Sequence, residues 1–136
     1  MFVSCERAAP LIFDTDVLIW FLRGNDKAAR AIEADSERAI SIISLMELDQ
    51  GARSKREISF LRAFFPKNSF RIEPITETIS HLAATLMEEY SIRHGLQVAD
   101  ALIAATARAT VSTLLTGNVR HFRPIPSLEL RQFRAT

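Results

Sequence analysis

The chain has little cysteine and no apolar run long enough for a membrane span. Its one cysteine, Cys5, excludes an internal disulfide and a cysteine-based zinc cluster, and it suits a reducing cytosol. The strongly apolar run at residues 11–22 is shorter than the roughly 20 residues that a membrane helix needs, and two aspartates interrupt it. The first ten residues lack the cationic start and apolar stretch of an export signal. These absences predict a cytoplasmic protein.

The chain also lacks a strong excess of charge. Seventeen bases and sixteen acids give a net charge of +1, which by itself indicates neither a nucleic-acid binder nor an acidic partner. The distribution is more informative, because fourteen of the seventeen bases are arginine. Residues 120–134 carry four arginines (Arg120, Arg123, Arg131 and Arg134) against one acid. Arginine favours bidentate contacts with phosphate, although a basic C-terminal segment is as often only a solvated surface.

Strands alternate with helices along the chain, with no internal repeat, low-complexity tract or linker. The predicted strands are residues 10–13, 38–43, 69–75 and 112–116, with a short edge strand at 128–130. The predicted helices are residues 16–23, 25–36, 44–53, 56–65, 76–93 and 97–110. This alternation predicts one α/β domain around a central, mainly parallel sheet, spanning residues 10–136 after an extension of residues 1–9.

Local signals mark several helix ends. Asn25 and Thr76 are predicted N-caps, whereas Gly24, Pro66 and Gly95 are predicted stops. A Gly117-Asn118 turn is expected after the fourth strand.

Two aspartates follow the first predicted strand directly. Ligands of parallel α/β folds bind at the carboxyl ends of the strands, which is where Asp14 should lie. A carboxylate there needs a cation or several hydrogen-bond donors to offset its desolvation. Asp16 has a purely structural alternative as the N-cap of the next helix.

A third acid follows the second predicted strand. Ser44 and Glu47 form an S-x-x-E pattern, in which the two side chains can cap the start of a helix reciprocally. If Glu47 caps the helix in this way, it needs no role in a functional site. Its position after a strand also permits a role in a binding site, and both interpretations can hold together.

The fourth acid is the only charge in an otherwise apolar or small segment, GLQVADALIAATA at residues 95–107. The helix should be buried all round, so Asp100 needs a partner from elsewhere in the fold. A salt bridge to one of the arginines is the structural alternative.

If Asp14, Glu47 and Asp100 converge, their repulsion disfavours the ionised cluster, and a divalent cation resolves it. Oxygen ligands favour Mg²⁺, with Mn²⁺ as a substitute. Zinc is disfavoured, because the three histidines (His81, His94 and His121) show no metal-ligand spacing. Setting aside three neutralised acids leaves thirteen acids and seventeen bases, so the remaining surface is about +4 and suits a polyanionic substrate.

These motifs together resemble the PIN domain, and specifically the VapC-type ribonuclease toxins. The matching segments are LIFDTDVLIWFLRGN, Ser44 with Glu47-Leu48, ADALIAATA, and LLTGNVRHFRPIPSLEL. The resemblance implies a three-layer α/β/α sandwich and a Mg²⁺ site that cuts RNA, leaving a 5′-phosphate. It places the catalytic and metal-binding acids at Asp14, Glu47 and Asp100, with Thr15, Ser44, Thr116 and Asn118 lining the pocket; we expect Asp16 beside the metal.

The same resemblance implies partners. Relatives pair with a small VapB-like antitoxin whose C-terminal segment covers the groove, and they form homodimers, heterotetramers or larger complexes. The apolar side chains of Trp20, Phe21, Phe60, Phe64 and Phe65 can supply such an interface or pack in the core.

One motif departs from the family pattern. Many relatives carry a further acid, the aspartate of an N-x-x-D-F motif. This chain has His121 in place of that aspartate, which puts a second metal site in doubt. His121 can contact phosphate, shuttle a proton or make only local hydrogen bonds. Asn118 likewise has a structural alternative as a turn residue.

Two other functions fit part of the sequence. FDTDVL at residues 13–18 also matches the nucleophile motif of haloacid dehalogenase phosphatases, but no lysine follows Lys67 and only Glu129 is acidic after Asp100, which disfavours that class. A PIN fold without metal competence, acting only as an interaction module, is the second alternative.

Overall fold

The computed structural model describes residues 9–136, so Cys5 and residues 1–8 of the expected extension lie outside the described residues. The five strands are β1 (Leu11–Phe13), β2 (Ala39–Ser41), β3 (Arg71–Glu73), β4 (Thr113–Thr116) and β5 (Leu130–Gln132). The helices in this part of the chain are α1 (Thr15–Leu22), α2 (Asp26–Glu33), α3 (Ile42–Gln50), α4 (Lys55–Lys67), α5 (Glu77–His94), α6 (Val98–Ala109) and α7 (Val119–Phe122). None of them is long and apolar enough to cross a membrane.

All strands pair in parallel in the order β3-β2-β1-β4-β5. The order changes direction beside β1, since β2 and β3 lie on one side of it and β4 and β5 on the other. The crevice outside the carboxyl ends of β1 and β4 is therefore the position where open α/β sheets bind ligands. Phe13 pairs with Leu115, so the residues after them, Asp14 and Thr116, are brought side by side.

Helices cover both faces of the sheet. Phe13 and Leu115 face a core formed with α1 to α4, which includes the fully buried Phe65. Ile12 and Leu114 point to the opposite face and pack against α5, α6 and α7. This alternation along each strand builds the three layers. The predicted fold class, an α/β/α sandwich with a parallel sheet, is confirmed.

Several predicted helix ends are confirmed. The Asn25 side chain caps α2 by accepting a hydrogen bond from the Ala28 N–H at 2.9 Å. The Thr76 side chain caps α5 in the same way, accepting from the Ile79 N–H at 3.2 Å. Gly95 ends α5 with a positive φ of 67°, a conformation that glycine adopts without strain.

Other predicted ends are wrong. Pro66 does not stop α4, which continues to Lys67; proline in the last turn removes only one hydrogen bond, and Asn68 closes the turn through its side-chain amide and Phe64 O. The sequence predicted no helix after the Gly117-Asn118 turn, but the short helix α7 follows it; four residues are too few to show periodicity. The edge strand β5 lies two residues beyond its predicted position.

Candidate active site

Asp14 lies at the carboxyl end of β1 and is the N-cap of α1. Its Oδ1 accepts a hydrogen bond from the Thr15 N–H at 2.8 Å, and its Oδ2 accepts one from Thr116 Oγ1, at the end of β4, at 2.7 Å. The residue is 5% exposed. The alternative that Asp16 caps this helix is wrong, because α1 begins one residue earlier than predicted.

The environment of Asp14 opposes its ionisation. Burial raises its pKa from 3.8 to about 7, and the neighbouring Asp16 carboxylate adds to the rise. The hydrogen bonds from Thr116 and Thr15 act in the opposite direction, while Asp100 adds a smaller increase. Among the residues that the structure describes, the buried carboxylate thus has no positive partner that would stabilise its charge.

Asp16 lies in the first turn of α1 and contacts the end of β4. Its Oδ2 accepts a hydrogen bond from the Gly117 N–H at 2.9 Å. Its Oδ1 is buried without a hydrogen-bond partner, and burial raises the pKa of this carboxyl despite the backbone hydrogen bonds. One carboxylate oxygen of Asp16 is therefore held, while the other has no hydrogen-bond partner among the described residues.

Gly117 is required by this close approach. A Cβ at this position would lie 2.5 Å from Asp16 Oδ2, well inside van der Waals contact. We expect Gly117→Ala to displace the Asp16 carboxylate and to lower the free energy of unfolding by about 1–3 kcal/mol, the usual cost of overpacking. Thermal melts would measure this, with Gly51→Ala as the matched control, since a Cβ there meets only ordinary contacts at 3.7 Å or more.

The proposed cause of this loss can be separated from general strain. In an Asp16→Ala background the carboxylate is absent, so Gly117→Ala should cost much less than in the wild type. Equal costs in the two backgrounds would show that the contact with Asp16 is not responsible.

Glu47 reaches the site from α3. Thr15 Oγ1 donates a hydrogen bond to Glu47 Oε1 at 2.7 Å and lies 2.9 Å from Ser44 Oγ, so this hydroxyl joins α1 to α3. The predicted capping box is wrong. Ser41 is the N-cap, its Oγ accepting from the Ile43 N–H at 3.1 Å, and Ser44 is buried inside the helix facing Thr15.

Asp100 lies in the first turn of α6, facing His121 from α7. Its Oδ2 is 3.9 Å from His121 Nδ1, an ion-pair distance when the imidazole is protonated. Burial raises the pKa of Asp100, and the acids Glu47 and Asp16 add to the rise, whereas His121 lowers it. No arginine of residues 9–136 pairs with this carboxylate, so the predicted alternative of an arginine salt bridge is not formed within the described structure.

The remaining predicted pocket residues lie at the end of β4 and in α7. Thr116 is fully buried, and its hydroxyl both donates to Asp14 and accepts from the Asn118 N–H at 2.9 Å. The exposed Asn118 begins α7 without a side-chain cap. His121, with 63% of its side chain exposed, forms no side-chain hydrogen bond in the described structure.

Four acids from three helices, α1, α3 and α6, therefore share one electrostatic neighbourhood: Asp14, Asp16, Glu47 and Asp100. Their donor atoms are carboxylate oxygens, which suit a hard divalent cation, and Asp16 Oδ1 has no hydrogen-bond partner in the part of the chain that the structure describes. In residues 9–136 they are not drawn together into a ready-made group of three metal ligands. Mg²⁺ commonly binds through one or two carboxylates and keeps several waters, so the donor set fits it without such a group.

Sequence reasoning missed the contacts that organise these acids. The hydroxyl of Thr15 was assigned to the pocket lining, but its bond to Glu47 spans 32 residues of sequence, and the bond from Gly117 to Asp16 spans 101. The Thr-Gly pair at residues 116–117, directly after an apolar strand, is the one local signal that could have indicated the latter.

Fold and site together define an α/β protein with an acidic centre at the switch point of a parallel sheet. The family model of the PIN domain matches residues 11–126, and the chain therefore belongs to the PIN domain family. Ribonuclease VapC10 of Mycobacterium tuberculosis is 40% identical over 119 residues, covering 82% of this chain and 85% of the relative. Ribonuclease VapC19 of the same species is 36% identical over 123 residues, covering 87% and 96%.

Solved structures show the same fold. A toxin–antitoxin complex from Klebsiella pneumoniae contains a chain that is 31% identical, with a TM-score of 0.71 and coverage of 93% of this chain and 98% of that one. VapBC2 from Rickettsia felis, bound to a DNA fragment from its promoter, contains a chain with a TM-score of 0.78 at 24% identity, covering 91% and 98%. The predicted family resemblance is confirmed.

Proposed function

We propose that this protein is a Mg²⁺-dependent endoribonuclease, the toxin of a VapBC-type toxin–antitoxin pair, and that it hydrolyses RNA phosphodiester bonds. The observation that carries the proposal is the set of four acids at the switch point of a PIN fold, which have no arginine partner within residues 9–136. The ribonuclease names of the VapC relatives support the substrate class.

Asp14 and Asp100 would hold the cation, with Glu47 contributing through water and Asp16 beside it; Mn²⁺ can substitute for Mg²⁺. If bound there, a divalent cation would supply two effects: it would polarise a phosphate oxygen, and it would lower the pKa of a nearby water. This chemistry needs ionised carboxylates, and the same cation would favour the ionised form of Asp14, whose pKa burial raises.

The neighbouring residues orient these acids. The hydroxyls of Thr15 and Thr116 donate to Glu47 and Asp14, and each hydrogen bond fixes one carboxylate oxygen. The second oxygen of Glu47, Oε2, has no hydrogen-bond partner in the described structure and can accept a proton from an attacking water. Ser44, Asn118 and His121 complete the pocket walls, and His121 is close enough to Asp100 to limit repulsion among the acids.

A VapB-like antitoxin is the proposed partner, because structural neighbours of the chain were solved as toxin–antitoxin complexes. An apolar groove between α1, α3 and α4, lined by Phe21, Phe60 and Phe64, offers a surface for it. Phe60 is 56% and Trp20 is 40% exposed, whereas Phe65 is fully buried and belongs to the core rather than to the interface. A homodimer, and a heterotetramer or larger complex with the antitoxin, is proposed with it.

The unit that performs this function is proposed to span residues 10–136. The family match ends at residue 126, but β5 lies beyond it and pairs with β4 in the same sheet. We also propose a cytoplasmic location, which an RNA substrate and a VapB-like partner would support. The family assignment favours the ribonuclease over the haloacid dehalogenase alternative, since the PIN domain match covers residues 11–126 and no lysine follows Lys67.

The proposal is tested by cleavage of total and single-stranded RNA with Mg²⁺ and with EDTA. We expect cleavage with Mg²⁺, its loss in EDTA, and inhibition when the product of the neighbouring gene is added. Expression of the chain alone should arrest growth, and the neighbour should relieve the arrest. Absence of cleavage with either Mg²⁺ or Mn²⁺ would instead indicate a PIN fold that acts only as an interaction module.

A further inference from the structure

A polar pocket of about 480 Å³ adjoins the acidic centre. Residues 117–121, Arg123 and Gln132 line it, and no acid is among them. The Gln132 side-chain amide donates to Gly117 O at 3.1 Å and to Phe133 O at 3.0 Å, so one wall is fixed to the strand end. The pocket is therefore built on the same segment that organises the acids.

Two residues connect the pocket to the acidic centre directly. Gly117 lines the pocket, and its N–H donates to the Asp16 carboxylate at 2.9 Å. His121 also lines it and faces Asp100 at 3.9 Å. The pocket and the acidic centre therefore share Gly117 and His121 as their common boundary.

The pocket carries two arginines without a carboxylate partner. Arg120 and Arg123 are exposed and form no ion pair in the described structure, unlike Arg62 and Arg71, which pair with Asp49 and Glu73. Their spacing of three residues places them on one side of the helical turn, which the fully buried Phe122 anchors. Two guanidinium groups are therefore presented together at the pocket.

The negative charge of the acidic centre makes positive groups beside it useful for binding a polyanion. Four clustered carboxylates repel an approaching polyanion, and a nearby positive pocket offsets that repulsion where the strand must dock. Guanidinium groups bind phosphate in a bidentate manner. We infer that Arg120 and Arg123 bind a backbone phosphate of the RNA strand next to the bond that is cut. This inference rests on the proposed ribonuclease function and names the positioning residues for its substrate.

The test compares Arg120→Ala/Arg123→Ala with a control of equal charge change, Arg30→Ala/Arg56→Ala. Both control residues are exposed, and neither lines the pocket. In steady-state cleavage of a single-stranded oligoribonucleotide with Mg²⁺, the pocket variant should raise KM roughly tenfold to a hundredfold, the effect of losing charge-assisted hydrogen bonds, while kcat stays within about twofold. Arg120→Lys/Arg123→Lys should recover part of the loss.

A second readout does not depend on chemistry. Fluorescence anisotropy with the same labelled oligoribonucleotide in EDTA should show weaker binding by the pocket variant, with a slope of log affinity against log salt smaller by about 0.7 for one lost phosphate contact. The control should keep the wild-type slope.

These measurements distinguish failure of the phosphate-binding role of Arg120 and Arg123 from failure of the proposed ribonuclease function. A wild type that cleaves RNA while the pocket variant matches it, or while the control is impaired equally, overturns this inference alone. Loss of antitoxin affinity with unchanged RNA affinity also overturns it, since the arginines would then serve a protein partner. A wild type that cleaves no RNA overturns the proposed function itself.

Discussion

Replacing Asp100 by asparagine is expected to lower RNA cleavage by at least about a hundredfold, since even the loss of a group that only supports a metal ligand costs up to that much. The same change should keep or raise the melting temperature in EDTA. Asp100 is a partly buried carboxylate whose pKa is raised by burial and by the acids around it, so removing its charge relieves repulsion. A change that inactivates an enzyme without destabilising it is typical of a site residue rather than of a core residue.

Cleavage of a fluorogenic oligoribonucleotide and thermal melts of the same preparations would measure both effects. Asp26→Asn is the matched control, because Asp26 is exposed at the start of α2 and lies outside the acidic centre. Full activity of Asp100→Asn would remove this carboxylate from the proposed site. A large fall in its melting temperature would show instead that Asp100 stabilises the fold.

The stability of the metal-free protein should fall as the pH rises from about 4 to about 7. The Asp14 carboxyl has a pKa of about 7 in the folded protein against 3.8 as its ordinary value. Between these values the folded state binds more protons than the unfolded state, so the free energy of unfolding decreases with pH and levels off above pH 7. The full shift corresponds to about 4 kcal/mol, and the raised pKa values of Asp16 and Asp100 act in the same direction.

Denaturant unfolding in EDTA at several pH values would measure this slope, with Asp14→Asn as the comparison. Asparagine has nearly the same shape and does not titrate, so its curve should be flatter than that of the wild type, and the difference should be confined to the interval between pH 4 and 7. Parallel curves would mean that Asp14 ionises in the folded protein as it does in water.

Local sequence signals were sufficient for much of the fold and for the main acids. The carboxylate after an apolar strand located Asp14, and the single charge in an apolar helix identified Asp100 as unusual. Caps such as Asn25 and Thr76 were predictable, because a capping side chain bonds within three residues of its own position.

The caps of α1 and α3 and the contacts of the site acids could not be predicted, because they depend on contacts between distant parts of the chain. Whether Asp14 or Asp16 caps α1 depends on the register of β1 with β4, which places Thr116 and Gly117 against the two carboxylates. Likewise, Ser41 rather than Ser44 caps α3, because β2 ends earlier than its apolar pattern suggested, and Ser44 is then turned inward to meet Thr15. No spacing within the sequence encodes these distances.

Calorimetric titration of the metal-free protein with Mn²⁺ at pH 7, in two buffers of different ionisation enthalpy, would show whether the four acids hold a divalent cation. We expect saturable binding accompanied by proton release, since a bound cation favours the ionised form of Asp14, and we expect loss of that binding in Asp100→Asn. No binding by the wild type at millimolar Mn²⁺, or equal binding by Asp100→Asn, would contradict the proposed metal site.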